Sequence, residues 1–262
     1  MGEPTLLELT RARKYYSSPG GQVHAVDGVS VSVAERELVA ILGPSGSGKT
    51  TLLLLAAGLL QPDEGSVRFQ GNDLATLSKR EMLAHRRTKL GFVFQSFQLV
   101  AGLTAEENVA MPLLLRGIDH STARRRALEA LDGVGLSARA GHIPSRLSGG
   151  EQQRTAIARA LVGEPKLILA DEPTGNLDSE TGDEVLELLS VLPRARGAAT
   201  ILVTHDTRIA AAADRVLEMR DGRLTEPARE GEGGRELGHE GERKLGHESE
   251  RERDFIRKAG GA

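Results

Sequence analysis

Apolar and polar positions alternate from Val29 to Val33, whereas the stretch from Leu38 to Leu42 is apolar throughout. Alternation predicts a strand with one covered face, and a short uninterrupted apolar run predicts a strand buried on both faces. Two further apolar runs, Leu167–Ala170 and Thr200–Thr204, also predict buried strands, and the clearest helical pattern covers Ser179–Leu192. Strands that alternate with helices are typical of a mostly parallel sheet with helices on both faces, so an α/β fold is predicted.

The stretch of about residues 92–161 follows a different pattern, with few strand signals. It contains two helix starts of the capping-box type, Thr104 followed by Glu107 and Ser148 followed by Glu151. This stretch is therefore interpreted as a mainly helical insertion into the α/β domain.

From residue 226 onward the chain is rich in glycine and in charged residues of both signs. This composition favours a disordered tail over residues 226–262 after a domain that covers residues 1–225. The alternative is a salt-bridged helix that docks a partner through Phe255 and Ile256.

Composition limits the possible functions. The chain has no cysteine, which excludes thiolate metal sites and cysteine nucleophiles. The net charge of −3 gives no indication of nucleic-acid binding. The longest apolar run, Leu52–Leu60, is far shorter than the ~18 residues that a membrane-spanning helix needs. A role at a membrane would therefore be expected to involve a partner.

The segment GPSGSGKT, residues 43–50, matches the phosphate-binding pattern G-x-x-x-x-G-K-[ST] between a buried strand and a helix of about residues 49–60. Glycines allow backbone N–H groups to surround a phosphate, and the start of the helix adds roughly half a positive charge. Lys49 is expected to bridge the β- and γ-phosphates of a nucleotide, and Thr50 to offer its hydroxyl to Mg²⁺.

Two adjacent carboxylates, Asp171 and Glu172, follow the apolar run that begins at Leu167. Ligands in open α/β sheets bind at the carboxyl ends of the strands, and successive side chains on a strand point in opposite directions. Asp171 is therefore expected to support Mg²⁺, and Glu172 to orient and deprotonate a water that attacks the γ-phosphate. The alternative is a polar turn after a strand.

A second candidate anion site lies at the start of the later predicted helix. Ser148 is expected to cap the helix, Glu151 to fold back on the cap, and Gly149 and Gly150 to leave the first N–H groups open. An isolated capping box is usually structural, so this segment gains weight only from its neighbours.

Six motifs in a fixed order resemble those of the ATP-binding subunits of ATP-binding-cassette (ABC) transporters, over roughly residues 5–225. They are the phosphate loop GPSGSGKTT, FVFQ with Gln95, the signature LSGGEQQR, LILADEP, GNLD, and VTHD with His205. The resemblance implies a P-loop NTPase (RecA-like) core with a small antiparallel β part and an inserted helical subdomain. It also implies a head-to-tail dimer, expected to be a homodimer, in which the signature helix of each copy faces the ATP of the other.

The same resemblance implies roles for individual residues. Glu172 would be the general base, His205 would contact the γ-phosphate, and Gln95 would complete a catalytic set. Mg²⁺ would be held by Thr50, Gln95 and Asp171. The residues that would bind ATP, in cis or across the dimer, are Tyr16, Gly43, Pro44, Ser45, Gly46, Ser47, Gly48, Lys49, Thr50, Thr51, Ser148, Gly149, Gly150 and Asp178.

Two of these expectations carry alternatives or departures. Tyr16 would stack on adenine, with Tyr15 as the substitute, although both tyrosines could instead be partly buried strand residues. Arg36 stands where the family usually has glycine, which implies a changed turn without loss of nucleotide binding.

The cluster Phe92, Phe94 and Phe97 around Gln95 would be either core or a groove for a helix of a membrane partner. Residues 91–113 and 169–179 resemble the lipoprotein-releasing and macrolide-efflux subfamily. This implies a cytoplasmic subunit, peripheral on the inner face of the membrane, that powers a separate permease for export or extraction of a lipophilic or lipoprotein-like substrate. A cell-division-type ATPase that regulates wall hydrolases is the alternative. A soluble DNA-repair ATPase is disfavoured because no coiled coil separates Lys49 from Ser148.

Overall fold

Two sheets and six α-helices form the described part of the chain, residues 4–18 and 21–226 of this computed structural model. The strands are β1 (Thr5–Ser18), β2 (Gly21–Ala34), β3 (Leu38–Leu42), β4 (Glu64–Phe69), β5 (Asn72–Asp73), β6 (Leu90–Phe94), β7 (Leu167–Asp171), β8 (Ala199–Thr204), β9 (Arg215–Arg220) and β10 (Arg223–Thr225). The helices are α1 (Lys49–Ala56), α2 (Lys79–Lys89), α3 (Ala105–Leu114), α4 (His120–Asp132), α5 (Gly149–Leu161) and α6 (Ser179–Ala195).

The larger sheet has six strands in the order β10-β9-β3-β8-β7-β6, and every pair except β9–β10 is parallel. Its central strands β3, β7 and β8 are buried on both faces, as the apolar runs predicted, whereas β6, β9 and β10 are partly exposed. Along β3, Leu38 and Ala40 enter one hydrophobic core while Val39 and Ile41 enter the other. The α/β fold with a mostly parallel sheet is thereby confirmed.

The smaller sheet is antiparallel, in the order β2-β1-β4-β5. Its inner face shares a core with helix α1 and one face of the parallel sheet, and fully buried leucines of β1 such as Leu7 meet Leu53 of α1 there. The alternation of residues 29–33 predicted only part of β2. The pairing of β1 with β4 joins residues far apart in the chain, so no local sequence pattern predicted it.

The second core lies between the other face of the parallel sheet and helices α3, α4, α5 and α6. The predicted start of the helical insertion at residue 92 is wrong, because Phe92 and Phe94 belong to β6 and pair with β7. A Cβ on Gly91 would overlap the carbonyl oxygen of Ala160, so this strand can lie close to α5 only because residue 91 is glycine. The helices between β6 and β7 begin at Ala105 and end at Leu161.

Side-chain caps fix several helix starts. The capping boxes predicted at Thr104 and Ser148 are both present, and Ser78 with Glu81 forms a third at the start of α2. Helix α1 ends four residues earlier than predicted, before Gly58 reverses the chain at φ +61°. Of the predicted tail, residues 227–262 lie outside the described residues.

The turn between β2 and β3 holds Arg36 at φ +62°, the left-handed conformation that glycine adopts most easily. Arginine therefore takes the backbone geometry that glycine would favour at this position.

Candidate active site

A cavity of about 690 Å³ opens at the carboxyl ends of β3 and β7. The predicted site residues that line it are Tyr16, Ser45, Gly46, Gly48, Lys49, Thr50, Thr51, Gln95, Asp171 and Glu172. The chain thus brings together ten of the predicted residues from four separate segments. The lining also includes Val23, His24, Ala25, Asp221 and Gly222, which the sequence analysis did not identify.

The phosphate loop is enclosed by both sheets. A Cβ on Gly43 would overlap the carbonyl oxygen of Met219 in β9, and a Cβ on Gly48 would overlap that of Ala25 in β2. The Gly222 N–H donates to the Ser47 carbonyl at 3.0 Å. The two glycines are therefore required by close contact with neighbouring backbone, in addition to any approach of a ligand.

The open side of the loop fits a phosphate. Gly46 has φ +79°, and no atom of the described residues lies within 4 Å of the position that its Cβ would take. The Ser47 hydroxyl is buried and has no hydrogen-bond partner in the described part of the chain. Backbone N–H groups at the start of α1 are donors that an anion can satisfy, whereas the Ser47 hydroxyl does not line the cavity and lies near Gly43.

Lys49 is buried at the floor of the cavity. Its ammonium donates to the carbonyls of Gly43 and Pro44 at 2.7 and 3.0 Å, and it lies 3.4 Å from a carboxylate oxygen of Glu172. The charge is thus held by the loop and one anion, and phosphate oxygens could replace these partners.

Three side chains that line the cavity carry oxygen atoms that could bind a metal ion: those of Thr50, Asp171 and Gln95. The Thr50 hydroxyl donates to the Asp171 carboxylate at 3.0 and 3.2 Å. Burial, with the neighbouring Glu172 as a smaller contribution, raises the pKa of Asp171. In the described residues no group of three or more His, Cys, Asp or Glu side chains could hold a metal alone. The donors present suit Mg²⁺, which takes one or two carboxylates together with substrate phosphates.

Glu172 adopts φ +45°, a conformation that costs a non-glycine residue of order 1–3 kcal/mol and is held by its surroundings. Its N–H donates to the Val203 carbonyl at 2.9 Å. One carboxylate oxygen accepts from the Thr204 hydroxyl at 3.1 Å and from the His205 N–H at 3.3 Å, and lies 2.9 Å from His205 Nδ1. The carboxylate is therefore fixed from the β8 side, with its other oxygen facing Lys49.

His205 lies beside the cavity, with its side chain 67% exposed. Its ring contacts Glu172 in this structure, so the ring and the carboxylate form one unit at the cavity edge. The rest of the ring is exposed to solvent, and His205 is not among the residues that line the cavity.

The two tyrosines of β1 have different surroundings. Tyr16 lines the cavity and is 43% exposed. The Tyr15 hydroxyl donates to Glu64 at 3.1 Å, and its ring packs edge-on against His24 with centroids 4.7 Å apart. The structure thus places Tyr16, and not Tyr15, where a base could stack.

The signature segment lies away from this cavity. The Ser148 hydroxyl accepts from the Glu151 N–H at 3.2 Å, and the Ser148 N–H donates to the Glu151 carboxylate at 2.8 Å. That backbone bond is the main reason why the pKa of Glu151 is lowered. A Cβ on Gly150 would overlap the Thr181 side chain of α6, so this glycine also serves packing between α5 and α6.

Asp178 caps helix α6. Its carboxylate accepts from the Thr181 N–H at 3.0 Å and from the Thr181 hydroxyl at 2.8 Å, and these bonds lower the pKa of Asp178. Within the single chain, neither Asp178 nor the signature segment lines the cavity that contains Lys49.

Phe92 and Phe94 line a second, smaller groove of about 240 Å³. Their rings stack with centroids 5.1 Å apart, and both are partly exposed. The half-buried guanidinium of Arg159 holds the adjoining loop by donating to the Phe97 carbonyl at 2.7 Å and to the Gln98 carbonyl. Phe97 lies in this loop and is also partly exposed.

No helix of the described residues is long and apolar enough to cross a bilayer.

Solved structures resemble this chain over most of its length. The ATP-binding cassette MJ0796, in a dimeric post-hydrolysis state bound to ADP and Pi, is 40% identical, with a TM-score of 0.77 and coverage of 84% of this chain and 96% of that chain. A further dimeric structure of MJ0796, a bacterial ABC transporter cassette, is 41% identical with the same TM-score of 0.77 and the same coverage of 84% and 96%. The cbiO1 protein of Clostridium perfringens, part of the ABC transporter complex cbiONQ, is 30% identical, with a TM-score of 0.75 and coverage of 85% and 87%.

The sequence model of the ABC transporter family matches residues 26–175, which is more than half of the chain. This range contains the phosphate loop, Gln95, the signature segment and the two carboxylates, whereas Tyr16, Asp178 and His205 lie outside it. The family match and the cassette neighbours agree with the geometry of the cavity, and the chain belongs to the ABC transporter family as an ATP-binding, ATP-hydrolysing subunit.

Proposed function

We propose that this chain hydrolyses Mg²⁺-ATP in pockets shared by two copies, and that the cycle of closure and opening drives a separate membrane permease. The observation that carries the proposal is the division of the site. Lys49, Thr50, Asp171 and Glu172 converge on one cavity, whereas Ser148 and its neighbours lie outside it. A second copy in head-to-tail orientation would supply the missing half, and the cassette MJ0796 is itself dimeric.

In the first half-site, the phosphate loop would hold the β- and γ-phosphates through its N–H groups and Lys49. Mg²⁺ supplies neutralisation of the phosphate charge, and Thr50, Asp171 and Gln95 are the residues that would hold it. Tyr16 would stack on adenine at the open end of the cavity, where its ring is exposed.

Glu172 would act as the general base. The 3.4 Å contact between its carboxylate and Lys49 gives way when phosphate oxygens take over the ammonium. The freed carboxylate oxygen can then accept a proton from a water, while the Thr204 hydroxyl and His205 hold the other oxygen in place. The exposed side of the His205 ring, with Nε2, would contact the γ-phosphate while Nδ1 stays on Glu172.

In the second half-site, the start of α5 would face the γ-phosphate bound by the other copy. The Ser148 oxygen accepts a bond from Glu151, so its own hydroxyl proton remains available to an anion. The helix start adds positive potential toward the same point. Asp178, at the start of α6, would lie along the seam of this dimer.

The permease would dock at the groove lined by Phe92 and Phe94, because partly exposed aromatic rings suit the apolar side of a partner helix. The likeness of residues 91–113 and 169–179 to lipoprotein-releasing and macrolide-efflux ATPases supports export or extraction of a lipophilic substrate from a cytoplasmic, peripheral position.

The dimer is tested by measuring the ATPase rate per chain over a wide range of protein concentration, starting below the dimerisation constant. The rate should rise with concentration and then level off. A rate per chain that stays at its maximum when the protein is monomeric would exclude the shared pocket.

The permease is tested by purification of the Glu172→Gln form with ATP in mild detergent. An integral protein with a large extracytoplasmic domain should co-purify, and adding Phe94→Ser to this form should abolish the capture. Phe94→Ser alone should keep the ATPase rate of the wild-type protein. A co-purified wall-hydrolase regulator would instead favour the cell-division role.

A further inference from the structure

Gln153 lies in the signature helix α5 and is fully buried. Its side-chain N–H donates to the Pro173 carbonyl at 2.7 Å. Pro173 is buried and directly follows Glu172, the residue that adopts the left-handed conformation. One amide therefore joins the helix that carries Ser148 to the segment that carries the carboxylate of the first half-site.

Other contacts hold α5 against α6 and close the turn after Glu172. Gly150 packs against Thr181, and the Arg154 guanidinium pairs with Glu184 of α6 at 2.7 Å. The turn after Glu172 is closed by the Gly175 N–H, which donates to the Glu172 carbonyl at 3.1 Å. Among the contacts made by α5, the bond from Gln153 lies nearest in sequence to Glu172, because it ends on the backbone of the next residue, Pro173.

The Gln153 amide group is not the side chain that would give the folded chain its highest stability. The Gln153 side-chain oxygen is buried without a hydrogen-bond partner among residues 4–18 and 21–226. An unpaired buried acceptor opposes folding, and an apolar residue of similar shape would remove it. Methionine at this position would remove one unpaired acceptor and leave another, the Pro173 carbonyl, so the two effects largely cancel.

We propose that Gln153 is a positioning residue that couples the two half-sites of one chain. Its amide fixes the backbone after Glu172 relative to the start of α5, so the state of the chain's own nucleotide pocket is transmitted to the helix that serves the other nucleotide. This inference rests on the shared-pocket function proposed above. Gln153 acts through Pro173 and touches neither nucleotide, because its side chain is fully buried within the chain and lies outside the cavity that contains Lys49.

The test compares Gln153→Met with the wild-type protein. We expect a melting temperature within about 4 °C, which corresponds to a small change for a chain of this size. The affinity of the nucleotide-free chain for ATP, measured by calorimetry, should be unchanged. The kcat should fall about tenfold or more, because a small misplacement of the general base slows the reaction. The Hill coefficient for ATP should fall to about 1, because the coupling between the two sites would be lost.

Gln61→Met is the control, because Gln61 is an exposed glutamine that lies outside both α5 and the cavity that contains Lys49. It should keep the kcat and Hill coefficient within about twofold. If Gln153→Met folds and also keeps both values, the inference is overturned while the proposed function stands. If the wild-type protein itself shows no cooperative, concentration-dependent hydrolysis, the proposed function fails.

A second variant, Gln153→Leu, guards against poor packing of the methionine side chain. If both variants lose cooperative unfolding, the amide serves the fold and the coupling role is refuted. If either variant folds with normal ATP affinity and loses the cooperativity of hydrolysis, the coupling role is supported.

Discussion

Replacement of Glu172 by Gln is the most direct test of the active site, because the change keeps the shape of the side chain and removes its charge. In the wild-type structure one carboxylate oxygen has donors at 2.9–3.3 Å, and the other lies 3.4 Å from the Lys49 ammonium. Glutamine has a single acceptor oxygen, so it can keep only one of these two sets of contacts.

The chemical effect should be much larger than the structural one. Loss of a general base lowers a rate by about 10²–10⁴-fold, and we expect a fall in kcat of at least ~100-fold, or about 2.7 kcal/mol in the barrier. ATP affinity should be equal or higher, because Lys49 no longer shares its charge with an anion 3.4 Å away. The melting temperature should change by no more than about 4 °C.

Steady-state release of phosphate measures the rate, calorimetry measures ATP binding, and size-exclusion chromatography with ATP should show a trapped dimer. Glu187→Gln is the control, because Glu187 is an exposed glutamate of α6 and its replacement should leave all three results unchanged. If Glu172→Gln turned over ATP within tenfold of the wild-type rate, Glu172 would not be the base.

Three other substitutions separate the parts of the site. Lys49→Ala should abolish ATP binding, and a normal affinity by calorimetry would contradict the phosphate-loop assignment. Ser148→Arg should keep ATP binding by the monomer and block the ATP-dependent dimer in the Glu172→Gln background, and a dimer peak at the usual elution volume would show that Ser148 lies off the interface. Asp171→Asn should abolish Mg²⁺-dependent hydrolysis and raise the melting temperature of the nucleotide-free protein at pH 7. Since burial raises the pKa of Asp171, the protonated form favours folding, and this contribution is complete below the ordinary pKa and is lost as the pH rises through the raised one. The gain should be about 2 °C, because the carboxyl is partly solvated, and it should shrink as the pH falls toward 4; an equal gain at both pH values would refute this explanation.

The sequence predicted the elements whose pattern is local. Leu38–Leu42 was expected to be buried on both faces, and its residues do alternate between two cores. The capping boxes at Thr104 and Ser148 were visible because cap and partner are three residues apart. The box at Ser78 had the same spacing and could have been found from the same pattern.

What could not be predicted depends on contacts between distant residues. The left-handed conformation of Glu172 is supported by Val203, and the hydrogen bond of Gln153 reaches a residue 20 positions away. Phe92 and Phe94 were assigned to the helical insertion, because the pairing of β6 with β7 joins residues far apart in the chain. The choice between Tyr15 and Tyr16 likewise needed the position of Glu64, which draws Tyr15 away from the cavity.

The phosphate loop lies near the amino terminus of the chain, but its shape depends on contacts with strand β9 and the turn before β10, which are synthesised much later. Gly43 and Ser47 contact Met219 and Gly222, almost at the end of the described residues. Because synthesis runs from the amino terminus, a nascent chain that has just completed α1 has the motif but not the surface against which the loop is set. Ability to hold a nucleotide should therefore be acquired only once β9 and β10 have left the ribosome, so the unfinished protein is protected from binding ATP too early.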